Sequence, residues 1–400
     1  YYIFVMKRSK CMKEVIMIKY AELTTKKDNR NFFINTLEKN VLSCLDGLNP
    51  TIRKDYYRMF IYVSDIESSI RRLSKVFGIH EIVRCVFTED ASLENIESIS
   101  KTLIKEGSTF KVVTNRSDKT YPINSMELSR MVGAYLLKNV PNLKVDVHEP
   151  DTIVNIEIRR EGVYLYSSGI PGMGGYPTGT LGKALLMLSG GIDSVVAGFL
   201  TMKRGVKLDF LYFESLPHTS LEARDKVISL AKILKSYGNT GKLLVVPFTK
   251  IQETIYKEMK GDYMITMMRR QMYKIATKVA KMRNANAIVN GESIGQVASQ
   301  TLTSMKVVND VTNYPIIRPL ASFDKLEIMD IARKIGSYDI SILPYIDCCT
   351  VFVPPHPVIN PRLDVARSEE EKMDESLLDE AIKNIIKIDL NEENLDNDLL

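Results

Sequence analysis

Six residues, Ser189, Gly190, Gly191, Ile192, Asp193 and Ser194, carry the clearest chemical signal in the chain. They follow the apolar run Leu186, Met187, Leu188 and precede a stretch of helical character. Adjacent glycines let a backbone turn sharply and approach an anion closely. Ser189 and Ser194 add hydroxyl donors, and a helix beginning near Val195 presents free N–H groups and a partial positive charge. Such a loop suits a phosphate. Asp193 is then the odd member: a carboxylate beside phosphates is repelled unless a cation lies between them, which points to Mg²⁺. The same residues also suit a plain strand–turn–helix in which glycine serves geometry and Ser and Asp act as caps. A Walker A loop is excluded, because Gly182-Lys183 is followed by Ala184 and Pro177 stands where glycine is required. A Rossmann fingerprint is excluded too, because no G-x-G-x-x-G occurs here.

A second chemical feature is the vicinal pair Cys348-Cys349, in a loop after Leu343-Pro344. Neighbouring cysteines make a strained disulfide. No C-x-x-C exists to suggest a metal site. A reactive thiol fits the pair, since thiolates attack disulfides and persulfides; an inert buried cysteine is the alternative. Cys11, Cys44 and Cys85 read as structural. Arg269 and Arg270 stand at the expected start of a helix, where cations oppose the macrodipole. Two together suggest a use, with a solvated pair as the alternative. His356, between prolines, reads as part of a rigid surface turn.

These residues need elements to hold them. Residues 13–20 alternate as a strand, and Phe33, Leu37 and Val41 form the stripe of a helix over 30–45. A strand at 59–63 and a helix at 66–76 follow, the latter stopped by Gly78. Residues 80–170 repeat the style, with strands at 82–87, 109–114, 144–148, 153–159 and 162–167 and helices at 93–106 and 125–137. These units are too short for a doubly wound sheet. A turn-rich stretch over 170–183 marks a boundary. Beyond it β and α alternate: strands at 185–188, 208–213, 243–248 and 287–290, and helices at 195–202, 221–237, 269–281 and 324–335. Thr219 and Glu222 read as a capping box for the second of these helices. This alternation predicts an α/β domain, a parallel sheet with helices on both faces. Ligands of such sheets collect at the carboxyl ends of the strands, where Met187, Leu188, Tyr212 and Phe213 fall. Core packing is the equal alternative for those four side chains.

The chain has 400 residues, 45% hydrophobic and 26% charged, which excludes wholesale disorder. No run approaches a membrane span, so no membrane is expected. Five cysteines exclude a disulfide scaffold and suit a reducing, cytoplasmic setting. Residues 1–11 lack the features of a secretory signal and read as an extension upstream of the strand that Met12 opens. The net charge of +5 resolves into −9 on residues 364–400 and +14 on residues 1–363. A cationic body with an acidic tail suits a polyanion such as nucleic acid, or serves solubility alone.

The residues of the glycine loop resemble the PP-loop of ATP pyrophosphatases. YAELTTK (20–26), VFGIH (76–80), PNLKVDVH (141–148), GESIGQVASQT (291–301) and YDISILPYIDCCT (338–350) resemble the tRNA 4-thiouridine synthetase, or tRNA sulfurtransferase ThiI, family. The resemblance runs from about Met12 to Arg362. It implies a ferredoxin-like α+β domain over 12–75, a THUMP RNA-binding domain over 76–170, a linker over 171–183 and a PP-loop domain over 184–362. Residues 363–400 read as an acidic helical tail. Ala21 and Lys27 depart from the glycines frequent in the family. Some members add a C-terminal rhodanese domain with its own cysteine, for which residues 364–400 leave no room. The family's link to thiamine biosynthesis belongs to members with that domain.

The resemblance further implies ATP and Mg²⁺ as cofactors. Met187, Leu188, Ser189, Gly190, Gly191, Asp193, Ser194, Tyr212, Phe213, Arg269, Gly291 and Gln300 would surround ATP, with Asp193, Cys348 and Cys349 as catalytic residues. The implied partners are tRNA, a cysteine desulfurase that donates persulfide sulfur, and a second copy in a homodimer. The implied reaction adenylates the C4 oxygen of uridine 8 and replaces it with sulfur, giving 4-thiouridine. Two other classes stay open on the residues alone: a PP-loop amidase or synthetase with an amine nucleophile, and a non-catalytic RNA-binding protein.

Overall fold

The computed structural model describes residues 12–20, 22–25, 28–238, 240–348, 351–352 and 354–391. The extension 1–11 with Cys11, the departures Ala21 and Lys27, the second cysteine Cys349, and residues 392–400 of the tail lie outside the described residues. The chain divides into two compact units, Tyr1–Gly175 and Tyr176–Leu400.

The N-terminal unit begins β1 (Lys13–Tyr20), α1 (Arg30–Cys44), β2 (Thr51–Lys54), β3 (Arg58–Tyr62), α2 (Ile66–Leu73) and β4 (Ile79–Thr88). The sheet order β2-β3-β1-β4 is that of a ferredoxin-like fold. The expected strand at 59–63 has a partner, β2, that the basic stretch before it did not reveal. Register is fixed by apolar pairs such as Val15 with Cys85 and Ile18 with Met59. The unit continues with α3 (Leu93–Thr102), β5 (Thr109–Arg116), α4 (Ser125–Asn139), β6 (Lys144–Val145), β7 (Thr152–Arg159), β8 (Gly162–Tyr166) and β9 (Ile170–Pro171). β4 pairs with β1 and also with β8 and β9, so both halves share one nine-stranded sheet. Leu128, Val132 and Leu136 of α4 and Ile96 and Ile99 of α3 cover Val154, Ile156, Ile158 and Leu165. Phe60 stacks on Tyr164 on the other face, beside Cys85.

The C-terminal unit opens with β10 (Lys183–Met187), α5 (Ile192–Lys203), β11 (Lys207–Glu214), α6 (Leu221–Ser236), β12 (Leu243–Pro247), α7 (Thr249–Glu258), α8 (Met264–Met282) and β13 (Ala287–Val289). Next come α9 (Leu302–Asn309), β14 (Ile316–Ile317), α10 (Lys325–Lys334) and α11 (Tyr338–Ser341), then α12 (Leu363–Glu370), α13 (Glu375–Lys383) and β15 (Ile386–Ile388). Five strands are parallel in the order β14-β13-β10-β11-β12, and β15 adds antiparallel to β12. Helices cover both faces. Leu185, Leu211, Phe213 and Val246 pack against α7, α8, α12 and α13. On the opposite face a Cβ on Gly198 of α5 would lie 2.7 Å from Leu186 and 2.9 Å from Leu234 of α6, so glycine is what lets these elements approach. α12, α13 and β15 therefore fold into this unit, and the described part of the acidic tail adds a strand to its helices.

Three local expectations are corrected. α6 is capped at Ser220 without a side-chain bond; Thr219 instead accepts the Ser215 N–H through Oγ1 at 3.3 Å, so no capping box forms. α5 starts at Ile192, not near Val195, so Asp193 sits in the first turn, where the macrodipole favours an acid. α8 starts at Met264, so Arg269 and Arg270 lie past its first turn and the macrodipole does not explain them.

Candidate active site

At the carboxyl ends of β10, β11 and β13 the chain encloses a cavity of about 320 Å³. Met187, Leu188, Ser189, Asp193, Ser194, Tyr212, Phe213, Arg269, Gly291, Gln300 and Cys348 all line it, joined by Leu211, Ile265, Met268, Met272, Tyr273, Asn290, Glu292, Ser299 and Asp347. One wall is apolar and built of flexible methionines and aromatic rings, a slot suited to a flat base. The other is the loop, through Ser189, Asp193 and Ser194; Gly190 and Gly191 lie in the same loop but are not among the lining residues.

The loop is held by its own serines. The Ser194 hydroxyl accepts the Ser189 N–H at 3.1 Å and faces the Ser189 carbonyl at 3.1 Å. The Gly191 N–H donates to Ser189 Oγ at 3.3 Å. This winds the backbone into the first turn of α5 and leaves the helix N-terminus facing the cavity. Gly291 closes the floor: a Cβ there would stand 2.6 Å from Asp193 C and from Ser194 N, so only glycine lets the β13 loop touch α5. Asp193 accepts Lys325 Nζ at 2.8 Å on one oxygen and Gln296 Nε2 at 2.9 Å on the other. Asp324 caps α10 in a capping box with Glu327, and this sets Lys325 at the first helical position facing the loop.

Arg269 and Arg270 have opposite roles. Arg269 reaches the cavity, where it pairs with Glu292 and donates to the Ser299 carbonyl. Arg318 holds the second Glu292 oxygen at 2.6 Å. Arg270 is 1% exposed and is neither solvated nor in the cavity; it donates to Val307 O and Glu370 and so ties α8 to α9 and α12.

Cys348 is buried against the apolar wall. Gln252 Nε2 donates to its carbonyl at 2.7 Å. Asp347 Oδ1 accepts the Gly190 N–H at 3.2 Å. Burial pushes the Asp347 carboxyl upward against that hydrogen bond and the charge of Lys226, and burial pushes the Lys226 ammonium down. Burial, and then the charge of Asp347, raises the Tyr212 phenol, so it stays a protonated donor. The Tyr212 hydroxyl and Gln300 Oε1 are buried and find no partner among the described residues, and both residues line the cavity. Lys325, Gln296, Asp347, Lys226, Gln252 and Arg318 were not singled out from the sequence. Asp347 alone carried a signal, its place directly before the cysteine pair.

A glycine loop that is neither Walker nor Rossmann, at the carboxyl edge of a parallel sheet beside a cysteine, defines a PP-loop nucleotide-binding domain. Comparison with known proteins gives the family. Residues 179–375 match the model "Thiamine biosynthesis protein (ThiI)", residues 15–83 the ThiI ferredoxin-like domain and residues 88–168 the THUMP domain. A "Probable tRNA sulfurtransferase" of Caldanaerobacter subterraneus subsp. tengcongensis is 48% identical over 94% of this chain and 100% of its own. One from Brevibacillus brevis is 46% identical over 92% of this chain and 94% of its own. A crystal structure of a 4-thiouridine synthetase–RNA complex with bound ATP superposes with a TM-score of 0.88 at 33% identity, covering 94% of this chain and 99% of that one. The structure of PH1313 from Pyrococcus horikoshii covers 81% of this chain and 99% of its own, with a TM-score of 0.64 at 25% identity. The chain belongs to the ThiI family of tRNA sulfurtransferases. Among the described residues no helix is long and apolar enough to cross a membrane.

Proposed function

We propose that the chain is an ATP-dependent tRNA sulfurtransferase that converts uridine 8 to 4-thiouridine. The observation that carries this reading is the meeting of the glycine loop, Arg269 and Cys348 in one cavity. Met187, Leu188, Tyr212 and Phe213 at the strand ends, with the methionine wall, take the adenosine. Residues 189–194 take the phosphates, with Arg269, Gly291 and Gln300 completing the nucleotide site. The uridine C4 oxygen attacks the α-phosphorus and pyrophosphate leaves, which turns a poor leaving group into AMP. The Cys348 thiolate takes the outer sulfur of the desulfurase persulfide, freeing the donor thiolate. That sulfur then bonds to C4 as the C4–O bond breaks and AMP departs. The Cys349 thiolate attacks the Cys348 sulfur, breaking its S–S bond to the uridine sulfur, so that 4-thiouridine leaves and the two cysteines are oxidised to a transient disulfide that an external thiol reduces. Cys348, with Cys349 beside it in sequence, is the relay for that sulfur. An amine-transferring PP-loop enzyme has no use for this thiol.

The donor set fits Mg²⁺. That ion is commonly held by one or two carboxylates together with substrate phosphates, and Asp193 is the carboxylate within the loop itself. When bound, the ion would neutralise phosphate charge. Lys325 supplies positive charge at the same oxygen by itself. The partners proposed are tRNA, a cysteine desulfurase as persulfide donor and a second copy of the chain in a homodimer; the setting is the cytoplasm. Mass spectrometry of tRNA incubated with the protein, ATP, Mg²⁺ and a persulfide-loaded desulfurase tests the reading. The expected result is an oxygen-to-sulfur mass shift on one uridine; unmodified tRNA in the complete mixture would overturn it.

A further inference from the structure

A cysteine that receives and delivers sulfur has to be reached, yet Cys348 is only 5% exposed. What keeps it covered is unusual. The side chains of Ile342, Leu343, Tyr345 and Ile346, just before it, stand exposed, with Ile346 57% accessible. Apolar packing does not hold residues 342–346 down, although Cys348 itself packs into the apolar wall. Among the described residues, three polar bonds tie the segment to other elements. Lys226 Nζ donates to the Leu343 carbonyl at 2.8 Å, Gly190 N–H donates to Asp347 Oδ1 at 3.2 Å, and Gln252 Nε2 donates to the Cys348 carbonyl at 2.7 Å.

The middle bond is the informative one. Gly190 lies within the phosphate loop, and its N–H is a donor of the kind that such loops turn toward phosphate oxygens. The Asp347 carboxylate lies so close to this glycine that a Cβ there would sit 3.0 Å from Oδ1. The chain thus places an anion of its own on the backbone that the substrate's anion uses. Two anions cannot share one N–H in a poorly solvated site without strong repulsion. Asp347 is joined to Cys348 by a single peptide bond, so moving one moves the other.

We propose that Asp347 is a positioning residue that competes with the nucleotide phosphates for the Gly190 N–H, and that through this competition ATP controls the accessibility of Cys348. The proposal rests on the reading of residues 189–194 as the phosphate site. Phosphates that reach the loop displace the carboxylate, the segment loses its central attachment, and the thiol becomes reachable. The sulfur carrier is thereby exposed when the activating nucleotide is present. This protects a persulfide from loss to other thiols when no adenylated uridine can accept it. Burial supports the same view, because it raises the Asp347 carboxyl and so penalises its charged form, a penalty that release to water removes.

Linkage makes the test two-sided, because the factor by which phosphate loosens the segment is the factor by which the segment weakens phosphate binding. In a chain carrying Cys349→Ser, so that the peptide holds one thiol, iodoacetamide alkylation of Cys348 is followed by mass spectrometry. Pyrophosphate should speed alkylation by about 5–150-fold, the ordinary range of coupling between sites. Adenosine should not. Asp347→Ala should alkylate rapidly without pyrophosphate, and calorimetry should show it binding pyrophosphate and ATP more tightly than the parent. Asp347→Asn, which keeps the shape and removes the charge, should also bind them more tightly. A residue with only a structural role would weaken binding when changed. Pyrophosphate that binds by calorimetry yet leaves Cys348 equally or less reactive overturns the competition and leaves the loop reading intact. A parent chain that binds neither ATP nor pyrophosphate overturns the loop reading and the competition with it.

Discussion

The parallel sheet buries charge at both of its ends, in two different ways. At the amino end Asp209 on β11 is fully buried and meets Lys183 Nζ at 2.6 Å, Arg283 Nε at 2.7 Å and the Lys242 N–H at 3.1 Å. The chain itself supplies those partners, from β10, the end of α8 and the turn before β12. At the carboxyl end Asp193, Lys325, Arg269 and Glu292 also pair, but around a cavity into which Tyr212 and Gln300 bring polar atoms with no partner among the described residues. One end is a closed circuit that fixes the fold. The other is arranged so that something from outside completes it. A count of buried charges would rank the two alike; the cavity and the unpartnered polar atoms tell them apart.

Asp193 is the residue at which the two ends should differ most. Asp193→Ala should lower thiolation by about 10²–10³-fold, the usual cost of removing one electrostatic contributor from an active site. Its melting temperature should stay near that of the parent, since this carboxylate packs against no core. Loss of fold together with activity would put Asp193 in the structural class with Asp209. The reciprocal change is Asp209→Asn. It should cost about 3 kcal/mol, the lower end for breaking a buried pair, because Lys183 and Arg283 still reach solvent. The KM for ATP should stay unchanged, and a shifted KM would erase the distinction between the two ends.

Gly291→Ala sharpens the carboxyl end further. A methyl group 2.6 Å from the Asp193 and Ser194 backbone should introduce about 1–3 kcal/mol of overpacking strain, read by calorimetry as weaker ATP binding. The smallest effect is in acid. Burial by itself would raise the Asp209 carboxyl, but Arg283, Lys183 and the Lys242 N–H outweigh it, and the net shift is downward. A carboxyl lowered in the folded state stabilises the fold above its unfolded value of about 3.9 and loses that contribution as pH falls through the folded value. The parent should therefore lose stability below about pH 4 more steeply than Asp209→Asn, as chemical denaturation at stepped pH would show.

Much of this was legible in the chain because it is local. The strand expected at 185–188 and found at Lys183–Met187, the glycine loop and the helix after it are contiguous, and periodicity with turn residues suffices to place them. Gly291 and Gln300 follow from the resemblance, and the structure sets Gly291 against the loop and Gln300 in the same cavity. The side-chain partners that the sequence leaves hidden share one cause, contact between distant segments. Nothing near Lys325 says that it faces Asp193, and nothing near Arg270 says that Glu370 waits for it. β2 and β15 are too short to declare themselves without their partner strands. Arg269 was noticed for an end-of-helix cost that the true start of α8 removes, so the residue drew attention for a reason the fold does not support.

β15 has a consequence for how the chain comes to be folded. Ile386, Lys387 and Ile388 supply the strand that pairs with the outer edge of β12, and an uncovered edge strand is a template for pairing with another chain. A chain synthesised from its amino end makes β12 well before β15. At ordinary translation rates that interval is about 10–30 s, during which Leu243–Pro247 has one open side. The acidic residues that accompany the late strand therefore arrive with the piece that seals the sheet. A nascent or truncated chain ending before Ile386 should be the species that self-associates, with its parallel sheet otherwise assembled.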